Sequence, residues 1–134
     1  MAAMEINDIT AIIVDCSYKL HLDVGPGLFE SVYECALADA LTKRGLQVAR
    51  QVPVPIRIGD QVFDEGFKAD LIVNGCVIVE IKSIDRLAPV HKKQLLTYLK
   101  LSAIKVGLLI NFGGERLKGN IERLVVQADH DLKS

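Results

Sequence analysis

The chain begins with two stretches in which apolar residues recur every three or four positions. In the first stretch Ile9 and Ile13 share one side of a helix, and a Val-Gly-Pro-Gly run at residues 24–27 ends the pattern. The second stretch covers residues 28–44 and is followed by Gly45, a residue typical of helix ends. The pattern therefore predicts two consecutive amphipathic helices.

Alternation of apolar and polar residues then replaces the helical period. Residues 46–58 alternate in this way, and the prolines of this segment, such as Pro53, favour a strand at the edge of a sheet. After a Gly-Asp turn, residues 61–73 alternate again, with Leu71 on the apolar face and Asp70 on the polar face. These two segments predict an antiparallel hairpin.

The rest of the chain adds a buried strand, a helix and a further strand. Residues 76–82 are β-branched and apolar, Pro89 is suited to the first turn of a third helix, and residues 105–112 predict another strand. Residues 121–126 could form a helix or a strand. The element order predicts an α/β domain covering residues 1–134, in which helices flank a mixed central sheet that begins with a three-stranded antiparallel meander.

Composition narrows the class of protein. Half of the 134 residues are hydrophobic, and 16 Lys and Arg against 17 Asp and Glu leave a net charge of −1, so a strongly basic nucleic-acid footprint is absent. The three cysteines lack the spacing of a zinc site or a disulfide framework, which favours a reducing cytoplasm. No signal peptide or membrane-spanning run is present, so we expect a soluble protein without a membrane partner.

Glu80 and Lys82 are charged residues inside the buried strand at residues 76–82. An unpaired charge there is costly, and residues two apart on a strand face the same side, so both side chains can line one cleft. Whether Asp70 joins them depends on the turn at residues 74–75. A two-residue loop would turn Asp70 to the opposite face.

A three-residue loop with Gly75 in the left-handed conformation gives the other register. It pairs Ile72 with Cys76 and brings Asp70 to the face of Glu80. We favour this second register because it places the two carboxylates within reach of one cation.

The chemistry of these groups suggests a metal site. Asp70 and Glu80, assisted by Glu30 and the carbonyl of Ile81, could hold Mg²⁺ or Mn²⁺, while Lys82 orients an attacking water or stabilises charge on a phosphodiester. The alternative is a salt-bridged cluster on a sheet face, with Glu30 solvated in the first turn of its helix. The histidines, serines and glycines complete no other catalytic or nucleotide-binding motif.

Three segments resemble a known family. The run Gly-Leu-Phe-Glu-Ser-Val-Tyr at residues 27–33 matches the signature of the GxxExxY proteins. Residues 65–70 and 79–82 are similar to the core motifs of the PD-(D/E)XK nucleases, to which that family is assigned. The resemblance extends over residues 9–126, and its main departure is Ala69 in the place of a proline.

This resemblance implies a restriction-endonuclease-like αβββαβ core with an additional N-terminal helix. It also implies metal ligands at Asp70 and Glu80, an ancillary carboxylate at Glu30 and a catalytic lysine at Lys82. Further positions in or near these motifs become accessory candidates: Tyr33, Lys68, Gln94 and Tyr98, of which the last two are similar to a Q-x-x-x-Y element. An ordinary polar helix edge with a core tyrosine explains that last pair equally well.

The expected activity is hydrolysis of phosphodiester bonds in DNA, or less favourably RNA, by a metal-activated water. The competing hypothesis is a nuclease fold that no longer cleaves and serves as a nucleic-acid or protein-binding module. The low positive charge and the scarcity of aromatic residues argue against strong autonomous binding of nucleic acid. We therefore also expect help from a homodimer or a protein partner.

Overall fold

A computed structural model describes residues 4–127 of the chain. The ends of the predicted domain, residues 1–3 and 128–134, lie outside this part. The elements in chain order are α1 (Ile6–Val24), α2 (Glu30–Lys43), β1 (Val48–Ile58), β2 (Gln61–Val73), β3 (Val77–Lys82), α3 (Pro89–Leu101), β4 (Val106–Asn111) and β5 (Ile121–Val125).

The five strands form one sheet in the order β1-β2-β3-β4-β5. The β3–β4 pair is parallel and the other three pairs are antiparallel. This confirms the predicted mixed sheet and its initial meander. It also places β1 at an edge, where its prolines interrupt no ladder on the outer side. The ambiguous segment near the C-terminus is a strand.

Apolar side chains fill both sides of the sheet. On one side α1 and α2 contribute residues such as Ile13 and Leu37, which are fully buried. On the other side α3 contributes Leu95 and Leu99. The helices therefore cover both faces, as the sequence predicts. Within the described residues, no helix has the length and apolar character needed to cross a bilayer.

The register of the β2–β3 hairpin differs from the prediction by two residues. Ile72 pairs with Ile78 and not with Cys76. The turn keeps Asn74 and Gly75 in the left-handed conformation, and Asn74 exchanges hydrogen bonds of 2.8 and 2.7 Å with the backbone of Gln47, beside β1. This anchor holds Asn74 out of the β2–β3 ladder. Because the shift is even, Ile72 still shares a face with Ile78, as the favoured register requires.

The predicted alternation along β1 and β2 is wrong near the middle of both strands. Ala69 belongs to the core beside α3, whereas Leu71 belongs to the core beside α1 and α2, although both were expected on one face. In β1, Gln51 has a φ of 50°, between the pairs Arg50–Leu71 and Val52–Ala69. The left-handed residue thus lies opposite Asp70, where both strands change their side-chain direction.

The segment after β3 is held by a buried amide. Asn111, at the end of β4, donates to the Ile84 carbonyl and accepts from the Ile84 N–H, both at 3.0 Å. The same oxygen accepts from the N–H of Gly113 at 3.0 Å. These bonds hold the segment that follows β3 against the end of β4. The two backbones approach so closely that Gly113 has no space for a side chain.

Replacing Gly113 with alanine is expected to lower the free energy of unfolding by about 3 kcal/mol. A Cβ atom there would lie 2.2 Å from the Ile84 carbonyl oxygen, which belongs to the backbone and cannot rotate away. Urea denaturation provides the measurement. Gly75→Ala is the comparison, since that position has open space and a φ of 67°, and its cost should be only about 1 kcal/mol. Equal losses in the two variants would contradict the steric explanation.

Candidate functional site

Asp70 lies where β2 and β3 separate. The ladder between them ends at the pair Leu71 and Val79, and the N–H of Ile81 donates to Asp70 Oδ2 at 2.8 Å. The carboxylate thus takes the position that a backbone carbonyl of β2 would occupy in a continued ladder. Asp70 is therefore fixed at a fork in the sheet, beside the end of β3 that carries the other charged residues.

Glu80 is the most perturbed group of this cluster. Its Oε1 atom is buried and has no hydrogen-bond partner among the described residues. Burial, followed by the negative charge of Asp70, raises the pKa of Glu80 to about 8, while Lys82 acts in the opposite direction. A cation beside this carboxyl group would favour its ionised form, because a positive charge offsets the cost of burial and the repulsion from Asp70.

Lys82 and the backbone of Ile81 complete this end of β3. Lys82 is partly buried and lies close enough to Glu80 to lower the pKa of its carboxyl group. The N–H and C=O groups of one strand residue point to the same side. Since the Ile81 N–H points to Asp70, the Ile81 carbonyl also faces the β2 side of β3.

Helix α3 covers the cluster with Tyr98 and Gln94. Burial, and then the charge of Glu80, raise the pKa of the Tyr98 phenol, with a smaller effect of Asp70 in the same direction and an opposing hydrogen bond from Gln94. The ring of Tyr98 stacks on Phe67 at a centroid distance of 3.9 Å. Tyr98 therefore lies near the two carboxylates, and Gln94 contacts Tyr98.

Helix α2 presents two glutamates, one turn apart. Glu30 begins the helix and is exposed, with no hydrogen bond or ion pair to the described part of the chain. Glu34 is buried and is connected to Asp70 through Gln51: the Gln51 amide donates to Glu34 Oε1 at 2.5 Å and to Asp70 Oδ1 at 3.3 Å. Arg50 pairs with the second oxygen of Glu34 at 3.0 Å.

Of the two remaining accessory candidates, Tyr33 is buried in the core and Lys68 is exposed. Tyr33 is fully buried, stacks on Phe112 at 4.6 Å and donates to the Gly25 carbonyl at 2.5 Å, which ties down the loop before α2. Lys68 is exposed on β2, opposite Pro53 in β1. Ser83 then joins this loop to the site, because its hydroxyl donates to the Leu28 carbonyl at 2.6 Å.

Sequence reasoning missed Glu34, Arg50 and Gln51. A signal was present in β1, where Arg50 stands at a position that the alternation reserves for an apolar residue. Glu34 also follows Glu30 by one helical turn and so shares its side of α2. The two patterns together mark a polar contact between α2 and β1, although neither pattern identifies the partner.

The oxygen donors beside Glu80 are of the kind that binds a divalent cation, but they are few. No group of three or more His, Cys, Asp or Glu side chains is arranged to hold a metal within residues 4–127. Asp70 and Glu80 nevertheless offer two adjacent carboxylates of which one has an unpartnered buried oxygen, and the Ile81 carbonyl supplies a third oxygen on the same side. Oxygen donors of this kind suit Mg²⁺ or Mn²⁺, which retain several waters.

Comparison with known proteins identifies the class. The family model of the PD-(D/E)XK nuclease superfamily matches residues 7–124, and the chain belongs to this superfamily. The mixed sheet with flanking helices is consistent with its restriction-endonuclease-like fold. Members generally use divalent metals, and nuclease chemistry implies a nucleic-acid substrate. Comparisons with curated proteins and with solved structures gave no significant match.

Proposed function

We propose that the protein is a Mg²⁺- or Mn²⁺-dependent nuclease of the GxxExxY branch that hydrolyses phosphodiester bonds of DNA, or less favourably RNA. The observation that carries this proposal is the pair Asp70 and Glu80, in which a buried oxygen of Glu80 has no hydrogen-bond partner among residues 4–127. Lys82 follows on the same strand face, and its ammonium group offsets part of the pKa shift of Glu80.

Asp70, Glu80 and the Ile81 carbonyl are the proposed metal ligands, with Glu30 as an ancillary carboxylate reached through water. When bound there, a divalent cation supplies Lewis acidity that lowers the pKa of a coordinated water and offsets phosphate charge. Asp70 contributes a carboxylate that the Ile81 N–H holds in one orientation. Glu80 contributes the second charge, and loses its proton when the cation binds.

Lys82 is the proposed catalytic residue that touches the reacting phosphate. Its ammonium orients the attacking water and stabilises the negative charge that develops on the phosphoryl oxygens. The water oxygen bonds to phosphorus, the ester P–O bond breaks, and the released proton passes to the leaving oxygen through solvent. Gln94 and Tyr98 are accessory groups on α3. Tyr33, on α2, supports the site by tying down the loop before that helix, and Lys68 is an accessory cation on β2.

We propose that substrate binding depends on a second copy of this chain or on a different protein partner. The net charge of −1 gives little long-range attraction for nucleic acid. Phe29 and Leu22 are each 83% exposed near the loop that Ser83 holds, which suits a homodimer or a protein partner. The free cysteines are compatible with the proposed cytoplasmic location.

The proposal is tested by incubating the protein with end-labelled single- and double-stranded DNA and RNA in Mg²⁺, in Mn²⁺ and in EDTA. The double variant Asp70→Ala/Lys82→Ala, checked for folding by circular dichroism, serves as the control. We expect cleavage of DNA in either metal, none in EDTA, and none by the variant. The identity of the substrate that is cut most rapidly then defines the substrate class.

Two results would contradict the nuclease assignment. Cleavage that persists in the double variant would indicate a contaminating enzyme. Metal binding without cleavage of any substrate, at protein concentrations that favour dimers, would favour the second candidate function, a nuclease fold retained as a binding module. The low positive charge and only 5% aromatic residues would then point to a protein ligand rather than nucleic acid.

A further inference from the structure

Gln51 has a backbone conformation that requires an explanation. It is one of two non-glycine residues with positive φ in the described part of the chain, the other being Asn74 in the β2–β3 turn. Asparagine is favoured in such turns, but glutamine within a strand is not. Backbone strain of this kind persists only where surrounding contacts maintain it, and it is frequent at functional sites.

The contacts of the Gln51 side chain provide that explanation. Its amide nitrogen has two hydrogens and donates to two carboxylates, Glu34 Oε1 and Asp70 Oδ1. The Gln51 amide thus connects Glu34 on α2 with Asp70 on β2. An extended backbone at this position would direct the side chain to one face of the sheet, and not towards the fork.

Glu34 is in turn held in place from β1. Arg50 donates to Glu34 Oε2 through both Nε, at 3.1 Å, and an Nη atom, at 3.0 Å. Glu34 is 5% exposed, so this pairing neutralises a buried charge and leaves Oε1 directed at Gln51. The bond to Glu34 therefore fixes the position of the Gln51 amide, which also donates to Asp70.

The Asp70 carboxylate is consequently held at both oxygens. The Gln51 amide donates to Oδ1 and the Ile81 N–H donates to Oδ2, so these two bonds use one of the two lone pairs of each oxygen. Two donors on opposite oxygens fix the plane of the carboxylate, as outer hydrogen bonds do for metal ligands. The arrangement holds Asp70 at the fork without using its capacity to bind a cation.

We propose that Gln51 is a positioning residue, anchored by Glu34 and Arg50, which orients the Asp70 carboxylate for cation binding. The role as an orienting group stands on the geometry alone, while its consequence for the cation rests on the proposed nuclease function. The relevant cations are the hard divalent ions Mg²⁺ and Mn²⁺. Gln51 itself touches neither cation nor substrate in this role.

Gln51→Gly is the informative variant, because glycine retains the left-handed backbone and removes the amide. Gln61→Gly is the control, since it removes an exposed glutamine side chain at the start of β2. The first measurement is amide hydrogen exchange of Ile81 by NMR in EDTA. The second is Mn²⁺ binding, by calorimetry and by electron paramagnetic resonance. Gln51→Asn, with a shorter amide, replaces the glycine variant if the latter does not fold.

We expect the exchange rate of the Ile81 amide to rise about tenfold or more in Gln51→Gly, and Mn²⁺ affinity to fall about tenfold or more. Gln61→Gly should leave both quantities as in the wild type. Unchanged Ile81 exchange in a folded Gln51 variant would overturn the positioning role. Faster exchange together with a wild type that binds no Mn²⁺ would support positioning while rejecting the proposed function.

Discussion

Replacing Lys82 with alanine is expected to reduce kcat for metal-dependent cleavage on the order of 10²- to 10³-fold, while Mn²⁺ affinity changes little. The ammonium group acts on the water and the phosphate, and it is not a ligand of the cation. Asp70→Asn should abolish cleavage and also greatly weaken Mn²⁺ binding. Asparagine still accepts from the Ile81 N–H, but it lacks the negative charge that the cation requires.

The measurements are single-turnover cleavage and Mn²⁺ calorimetry on the same preparations. Lys43→Ala is the control for Lys82. It removes a lysine at the C-terminal end of α2 that pairs with Asp39, and the side chains of Lys43 and Asp39 are both largely exposed. Asp64→Asn is the control for Asp70, since it removes an exposed carboxylate of the same strand. If Lys82→Ala lost cation binding as completely as Asp70→Asn, the separate catalytic role of Lys82 would be wrong.

Glu80→Gln is expected to stabilise the metal-free protein in alkaline solution. The folded-state pKa of Glu80 is about 8, against 4.5 for an ordinary glutamate. Between these values the folded state retains a proton that the unfolded state has released, so the wild type loses stability as the pH rises from about 4.5 to about 8. The full penalty applies above the folded-state pKa, and glutamine removes it.

The expected difference in unfolding free energy between Glu80→Gln and the wild type grows on the order of 4 kcal/mol between about pH 4.5 and about pH 9. Urea denaturation in EDTA at several pH values measures it. Glu65→Gln, which alters an exposed carboxylate on β2, should show no such growth. A pH-independent difference for Glu80→Gln would show that Glu80 is ionised in the folded protein, and that the buried pair is not as described.

Much of the fold follows from local periodicity. The three helices, the antiparallel meander and the mixed sheet agree with the spacing of apolar residues and with turn residues such as Gly45 and Pro89. The errors lie at two irregularities. Asn74 is tied to Gln47, which shifts the hairpin register, and the left-handed Gln51 reverses the alternation in β1 and β2. Both depend on contacts between elements that periodicity does not describe.

The candidate site divides in the same way. Glu80 and Lys82 share one face because strand geometry alone requires it. The position of Asp70 does not follow from strand geometry alone. Its carboxylate turns into the fork between β2 and β3 and accepts a hydrogen bond from the Ile81 N–H. Glu34 and Gln51 have no sequence motif. Gln51 lies opposite Asp70 in the β1–β2 hairpin, and Glu34 reaches Gln51 only because α2 packs against β1, so residue spacing does not reveal their part in the site.

By itself, the sequence determined the class of fold, the strand that carries Glu80 and Lys82, and the expectation of a charged cleft, because these depend on a helical period of 3.6 and a strand period of 2. The tertiary structure alone decided which oxygens are held, which one is unpartnered and which glutamate of α2 is connected to Asp70. The physical reason is that burial and hydrogen bonding between distant segments set the energy of a charge, and neither is encoded in the spacing of residues.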